Sequence, residues 1–132
     1  MTEQNQWRLR LKVWLEIDGH PVIGEGRLAM LSAIDDSGSI IDAARRLGIS
    51  YRKIRGAISD MEGSVGTRLV ITHRGGSQGG GAQLTPRARD LVQRYLTVTR
   101  EFTEKAECQL RSVENKNLPP NGRKCHSVSM GG

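Results

Sequence analysis

The chain has 132 residues, of which 36% are hydrophobic but only 4% aromatic, so it can build one modest core from Leu, Ile, Val and Ala. No apolar run reaches the length of a membrane span and no secretory signal opens the sequence, which predicts a cytoplasmic protein without a membrane partner. The net charge of +6 is concentrated in residues 43–89, which hold nine Lys/Arg against two Asp/Glu and favour a polyanionic partner.

The N-terminal segment is predicted to form a β-hairpin. Residues 8–17 alternate apolar and polar side chains, with Trp14 as the exception, and a period of two is typical of a half-buried strand. "DGHP" at 18–21 supplies turn residues, and the "VIG" that follows indicates a short return strand. Residues 1–7, before the hairpin, are expected to be a flexible N-terminus.

Three helices are predicted next in the chain. The first covers about 27–36 and stops at "SGS". The second begins after the N-cap Ser39 and ends at Gly48, which is a natural left-handed residue at a helix end. The third begins after the N-cap Ser50 and runs to about Glu62, before "GSVG".

A second hairpin follows these helices. Residues 67–74 have the composition of a strand, "GGSQGGG" at 75–81 is a flexible turn, and "AQLT" at 82–85 can return as the partner strand. The glycine-rich turn contains neither GxxxxGK[ST] nor GxGxxG, and it joins two strands instead of a strand and a helix. We therefore expect no nucleotide and no other cofactor here.

A long helix is predicted over 86–113, opened by Thr85 as N-cap and Pro86 at the first helical position. It would extend roughly 40 Å, too far for a small core to cover. Its near-heptad apolar seam would be buried by a second copy of the chain, which predicts a homodimer. Residues 114–132 lack periodicity and are expected to be disordered. The predicted dimer-interface residues on the seam are Leu91, Val92, Tyr95, Phe102, Ala106 and Leu110.

The second and third helices together have the pattern of a helix-turn-helix. Ala44 is a small residue where the helices would cross, Gly48 makes the turn, and Ile54 is the buried aliphatic of the third helix. The opposite face carries Arg52 and Arg55; a major groove admits one helix, and Arg can bind guanine bidentately. A packed helical hairpin without a DNA role would show the same pattern.

The glycine-rich hairpin lies directly after this helix and is interpreted as a wing that contacts the DNA backbone or a minor groove. A mobile surface loop is the alternative. His73 and Arg74 lie at its base, with Ser77 and Gln78 near its tip. The helix caps, Lys and Tyr would reach phosphates. The complete set of predicted DNA-binding residues is Ser39, Ser50, Tyr51, Arg52, Lys53, Arg55, Ser59, His73, Arg74, Ser77 and Gln78.

Catalytic and metal sites are not expected. Cys108 and Cys125 lack CxxC spacing and a second pair, which argues against a disulfide scaffold or a zinc site. His20, His73 and His126 fall in a turn, a wing base and the tail, with no nucleophile or carboxylate assembled beside them. The sequence therefore predicts a protein that is not an enzyme.

Two stretches carry a resemblance to a known family. "LKVWLEIDGHPVIGEGRLAMLSAIDDSGSIIDAARRLGISYRKI" and the later "GGSQGGGAQLT" resemble the N-terminal DNA-binding domain of the bacterial ModE family, the molybdate-responsive transcriptional regulators. The similarity covers about residues 8–110 and extends more distantly to the winged helix of LysR-type regulators. It implies a winged-helix homodimer that joins through the long helix and binds a palindromic operator.

This chain departs from the family at two places. The family commonly has Trp where Arg55 stands, and full-length members continue into a molybdate-binding module where this sequence has only a short tail. The resemblance thus implies a stand-alone form without that module, regulating genes related to molybdate or tungstate.

The expected fold is α+β and mainly α. It comprises a winged helix-turn-helix at 8–85 with an N-terminal β-hairpin, followed by the long C-terminal dimerisation helix. The expected function is sequence-specific binding of double-stranded DNA as a transcription regulator. The alternatives left open are a non-catalytic protein-interaction module and a small protein that binds molybdate or another oxyanion through the glycine loop.

Overall fold

A computed structural model of the chain describes residues 6–74 and 80–114. The predictions made for residues 1–5, for the wing tip at 75–79 and for the tail at 115–132 lie outside these described residues. The elements in chain order are β1 (Leu15–Ile17), β2 (His20–Ile23), α1 (Glu25–Ser37), α2 (Ile40–Leu47), α3 (Tyr51–Val65), β3 (Val70–His73), β4 (Gly81–Leu84) and α4 (Pro86–Glu114).

The N-terminal hairpin is present but its first strand is much shorter than predicted. Only Leu15–Ile17 are paired, whereas residues 8–14 form no strand. Leu15 lies opposite Ile23, and β2 ends there because α1 begins two residues later, so earlier residues have no strand to pair with. The two-residue turn between the strands has φ of 50° at Asp18 and 80° at Gly19, as a type I′ turn requires.

The core lies between the two hairpins and the first three helices. Leu31 and Ile34 from α1, Ile54 and Met61 from α3 and Leu69 before β3 are fully enclosed. Aliphatic side chains supply almost all of it, as the scarcity of aromatic residues predicted. Helices α1, α3 and α4 run from one to three residues beyond their predicted bounds at one or both ends, while α2 has the predicted bounds.

The second hairpin is joined to the helices by backbone hydrogen bonds. Strands β3 and β4 are antiparallel, with Val70 opposite Leu84. The Ala82 N–H donates to the Gly38 carbonyl at 2.8 Å, which ties β4 to the turn between α1 and α2. Thr85 then caps α4: its Oγ1 accepts from the Ala88 N–H at 3.1 Å and donates to the Arg68 carbonyl at 2.9 Å.

Helix α4 contributes to two compact units. Residues 12–96 form the unit that contains the core, in which Tyr95 is 2% exposed and its hydroxyl donates to the Val13 carbonyl at 2.7 Å. The later part of α4, from residue 97, belongs to the other unit, where Phe102 is 60% exposed. Cys108 in this part is disulfide-bonded and is not a free thiol, although the cysteine spacing argued against a disulfide scaffold. Within the described ranges, no helix combines the length and apolarity needed to cross a bilayer.

Candidate nucleic-acid interface

The turn between α2 and α3 has the hydrogen bonds that the helix-turn-helix prediction requires. Gly48 has a φ of 67° and its N–H donates to the carbonyls of Ala44 and Arg45. The Ile49 N–H also reaches the Ala44 carbonyl, at 3.0 Å, so the last carbonyls of α2 are satisfied within the turn. Because an L side chain is strained at this φ, glycine allows only three residues to separate α2 from α3.

Both predicted serine caps are formed. The Ser39 hydroxyl accepts from the Asp42 N–H at 3.2 Å, and the Ser50 hydroxyl accepts from the Lys53 N–H at 3.0 Å. Each cap satisfies one of the free amides at its helix start, and the remaining amides keep the partial positive charge that attracts phosphate. The start of α3, which has no acidic residue in its first turn, therefore favours an anionic backbone, whereas the first turn of α2 contains Asp42.

Helix α3 divides into a buried face and a charged face. Ile54, Ile58 and Met61 are buried against the core. Arg52, Lys53, Arg55 and Ser59 are exposed on the other sides of the helix, and Tyr51 at its first turn is 50% exposed. The arginines thus project outward, as a recognition helix requires.

The acidic residues of α3 do not neutralise this face. Asp60 forms an ion pair of 2.6 Å with Arg27 of α1, and Glu62 accepts from backbone amides after the helix. Among the residues that the structure describes, Arg52, Lys53 and Arg55 form no ion pair, although Arg27 and three other arginines do. The face therefore retains three positive charges within four residues of sequence, available to a polyanion.

The wing follows α3 in the chain and is joined to the end of that helix through Glu62. His73 ends β3 and Arg74 follows it, and both are exposed. Across the hairpin, Gly80 has a φ of 84°, and a Cβ there would lie 2.5 Å from the His73 carbonyl oxygen, so no side chain fits. Ser77 and Gln78, which the sequence places near the tip, lie outside the described residues.

Glu62 is a further residue of this region, and no sequence pattern indicated its role. Its Oε2 accepts from the Leu69 N–H at 2.8 Å and the Val70 N–H at 3.3 Å, which holds the start of the wing against the end of α3. A single glutamate near a helix end carries no sequence signal for such a contact, because the acceptor and donors meet only after the chain turns at Gly66.

The predicted dimer seam separates into buried and exposed parts. Tyr95, predicted to lie in the dimer interface, is a core residue of its own chain, and its ring is therefore not exposed for a partner. Leu91 and Val92 also pack partly against that core. Phe102 is the most exposed of the set, while Ala106 and Leu110 are half-buried.

No site for metal chemistry is found in the described part of the chain. No group of three or more His, Cys, Asp or Glu residues there is placed to hold a metal ion. His20 lies exposed at the start of β2 and His73 at the wing base. What the described residues bring together is a cationic helix, two capped helix starts and a hairpin.

The sequence of the chain is similar to sequences of known proteins over the region that forms this interface. Residues 26–89, from α1 to the start of α4, match the family model described as "Bacterial regulatory helix-turn-helix protein, lysR family". The chain is 31% identical over 126 residues to the molybdenum transport protein ModE of Azotobacter vinelandii, covering 93% of this chain and 47% of that protein. It is 42% identical over 69 residues to the transcriptional regulator ModE of Yersinia pestis, covering 52% of this chain and 26% of that protein.

A solved structure gives the fold independently. The crystal structure of the CbnR_DBD-DNA complex superimposes with a TM-score of 0.51 at 20% identity, covering 64% of this chain and 95% of that chain. The prediction of a winged helix-turn-helix is confirmed, as is the resemblance to ModE. The family model describes regulatory helix-turn-helix proteins and the Yersinia relative is named as a transcriptional regulator, so the chain matches regulators and not enzymes. The chain spans about half or less of the length of the curated relatives that it matches.

Proposed function

We propose that this chain is a ModE-like transcription regulator that acts by occupying a specific operator in double-stranded DNA. The observation that carries the proposal is the charged face of α3, where Arg52, Lys53 and Arg55 are exposed without ion-pair partners among the described residues. A helix held rigidly by Ile54 and Ile58 on its other side is suited to enter a major groove.

The residues of the charged face are proposed to have different roles in binding DNA. Arg52 and Arg55 are the candidates for base edges, because a guanidinium can bind guanine O6 and N7 together. Lys53, Tyr51 and the amides at the starts of α2 and α3 are candidates for phosphate contacts, which fix register without reading sequence. Loss of a base contact changes sequence preference, whereas loss of a phosphate contact weakens binding to all sequences.

The second hairpin acts as the wing in this proposal. Arg74, exposed at its base, adds a positive charge to the wing. The contact of Glu62 with Leu69 fixes where the hairpin leaves the helix-turn-helix. With α3 in the major groove, we infer that the wing contacts the flanking backbone or minor groove.

The proposed active form is a homodimer joined through the later part of α4. Phe102 and Val113 are exposed there by 60% and 58%, and we infer that a partner surface covers these large apolar side chains. Pairing with a two-fold mate would bury them together with Ala106 and Leu110. Such a dimer presents two recognition helices to half-sites about 34 Å, or a multiple of it, apart on a palindromic operator.

The regulated genes are proposed from the relatives. The Azotobacter protein carries molybdenum transport in its name, and the Yersinia protein is named as a transcriptional regulator. We therefore propose genes related to molybdate or tungstate as targets. A regulator of this kind works in the cytoplasm, where bacterial DNA is found.

Selection of bound duplexes from a random DNA pool, with and without molybdate, tests the proposal. We expect a palindromic consensus to be enriched. Binding measured by fluorescence anisotropy should weaken steeply between about 50 and 200 mM salt, because each neutralised phosphate releases counterions. Absence of binding to any duplex at about 50 mM salt would refute the regulator.

A second function is favoured by one observation, the exposed apolar side chains of α4. A non-catalytic module that binds another protein through Phe102 and Val113 would show the same surface. The two functions differ in DNA affinity. A chain that is monomeric, lacks DNA affinity and forms a complex through α4 would be an interaction module.

A further inference from the structure

Gly56 lies in the middle of α3, and nothing in the folded chain requires glycine at this position. It is exposed, its φ is not positive, and a Cβ added to it would meet no atom within 4 Å. Gly48 and Gly66 differ, because their positive φ excludes most other residues. Glycine is also the least favourable residue inside a helix apart from proline. The free protein would accept alanine here and fold more stably.

The position of Gly56 on α3 suggests what glycine is for. It lies one turn after Arg52 and three residues before Ser59, and all three are exposed on the side of the helix away from Ile54 and Met61. Arg55 is its neighbour in sequence. Gly56 therefore lies within the surface that the proposed function turns towards DNA.

We propose that Gly56 is a positioning residue that lets the backbone of α3 approach the floor of the major groove. This inference rests on the proposed function. A methyl group between Arg52 and Ser59 would hold the helix away from the base pairs. Hydrogen bonds to base edges tolerate only a few tenths of an ångström, so a lift of about 1 Å would break the bidentate contacts of both arginines.

The test is a graded series, Gly56→Ala and Gly56→Leu, with Gly26→Ala as the matched control. Gly26 is also an exposed helical glycine whose added Cβ meets nothing within 4 Å, but it lies in α1. The probes are the duplex enriched by the wild-type chain and a random-sequence duplex of equal length. Melting temperature and affinity are measured for each variant at one salt concentration.

We expect Gly56→Ala to raise the melting temperature by about 4–8 °C and to lower affinity for the enriched duplex at least about tenfold. Gly56→Leu should lower the affinity for the enriched duplex further. Affinity for the random duplex should change little, since non-specific binding depends on phosphates. Gly26→Ala should leave both affinities unchanged.

Each other outcome is decisive. If the wild type binds the enriched duplex and both Gly56 variants bind it equally well, this inference fails and the proposed function stands. If the wild type enriches no duplex, the proposed function fails and this inference fails with it. A lower melting temperature for Gly56→Ala would also overturn the inference, because the glycine would then be needed for folding.

Discussion

The Oε2 atom of Glu62 accepts a hydrogen bond of 2.8 Å from the backbone N–H of Leu69. One residue belongs to the recognition helix and the other immediately precedes the first wing strand. A further bond of 3.3 Å to the Val70 N–H fixes the same oxygen. Two elements proposed to contact different parts of a DNA site are thus held together by one half-buried carboxylate.

Removing this carboxylate should affect both stability and DNA preference. We expect Glu62→Ala to lower the free energy of unfolding by about 1–2 kcal/mol, because two partly buried amides lose a charged acceptor. We expect Glu62→Gln, which keeps an acceptor oxygen, to lose less. Urea unfolding gives the first quantity, and selection of bound duplexes should show weaker preference at the flanks of the operator. Asp36→Asn, an exposed acid outside this contact, is the control. An unchanged flank preference in Glu62→Ala would contradict the positioning role.

The turn glycine gives a prediction about folding alone. At a φ of 67°, alanine in place of Gly48 should destabilise the chain by about 1–2 kcal/mol, and asparagine by less, since asparagine tolerates the left-handed region better. Denaturant midpoints at constant m-value measure the change. Gly63→Ala is the matched control, because Gly63 lies inside α3 with open space around it and should gain stability instead. Equal effects at the two glycines would contradict the argument from φ.

The charged face predicts two kinds of DNA-binding defect. We expect Arg52→Ala and Arg55→Ala each to lose about 1–3 kcal/mol of discrimination at particular base pairs. Lys53→Ala should instead weaken binding evenly across sequences and reduce the salt slope by about one. Anisotropy titrations against the enriched duplex and single-base variants, at several salt concentrations, separate the two patterns. If both arginine variants retain affinity and preference, α3 is not the reading helix.

The order of elements and the helix-turn-helix were predictable because their signals are local. Ser39, Gly48 and Ser50 act within a few residues of their position, so cap and turn chemistry identified α2 and the start of α3. The length of β1 was not predictable, because alternation at 8–17 describes side chains and not the availability of a partner strand. Tyr95 was assigned to the seam for a similar reason: periodicity could not distinguish the part of α4 that packs on its own core. The hydrogen bonds of Glu62 to the Leu69 and Val70 amides were not predictable either, because they form only in the tertiary structure.

Tyr95 predicts how stability depends on alkaline pH. Burial raises the pKa of its phenol above the ordinary value of 10.0, and the negative charge of Glu25 adds to the effect. The neutral phenol is therefore favoured in the folded state. Its contribution to the free energy of unfolding is complete below pH 10 and is lost as pH rises through the folded pKa. Tyr95→Phe should be less stable near neutral pH by about 1 kcal/mol, having lost the bond to Val13.

The same variant should show a smaller loss of stability at alkaline pH than the wild type. Denaturant unfolding at several pH values from 8 to above 10 measures this difference. Tyr51→Phe, at the exposed tyrosine of α3, is the control and should keep the alkaline loss of the wild type. If Tyr95→Phe kept the full alkaline loss, another group would be responsible for it.

Phe102 tests the proposed dimer, because its ring is 60% exposed on the later part of α4. Phe102→Glu would place two charges in the two-fold interface, and we expect the chain to sediment as a monomer at micromolar concentration. Arg111→Glu is the control, since residue 111 lies on the opposite side of the helix from residue 102. The monomer should bind one half-site weakly and lose the added affinity of the palindrome, which depends on two linked recognition helices. Analytical ultracentrifugation and titrations with half-site and full-site duplexes measure both effects. A Phe102→Glu chain that remains dimeric would place the interface elsewhere, and dimerisation lost equally in Arg111→Glu would mean that the seam does not define it.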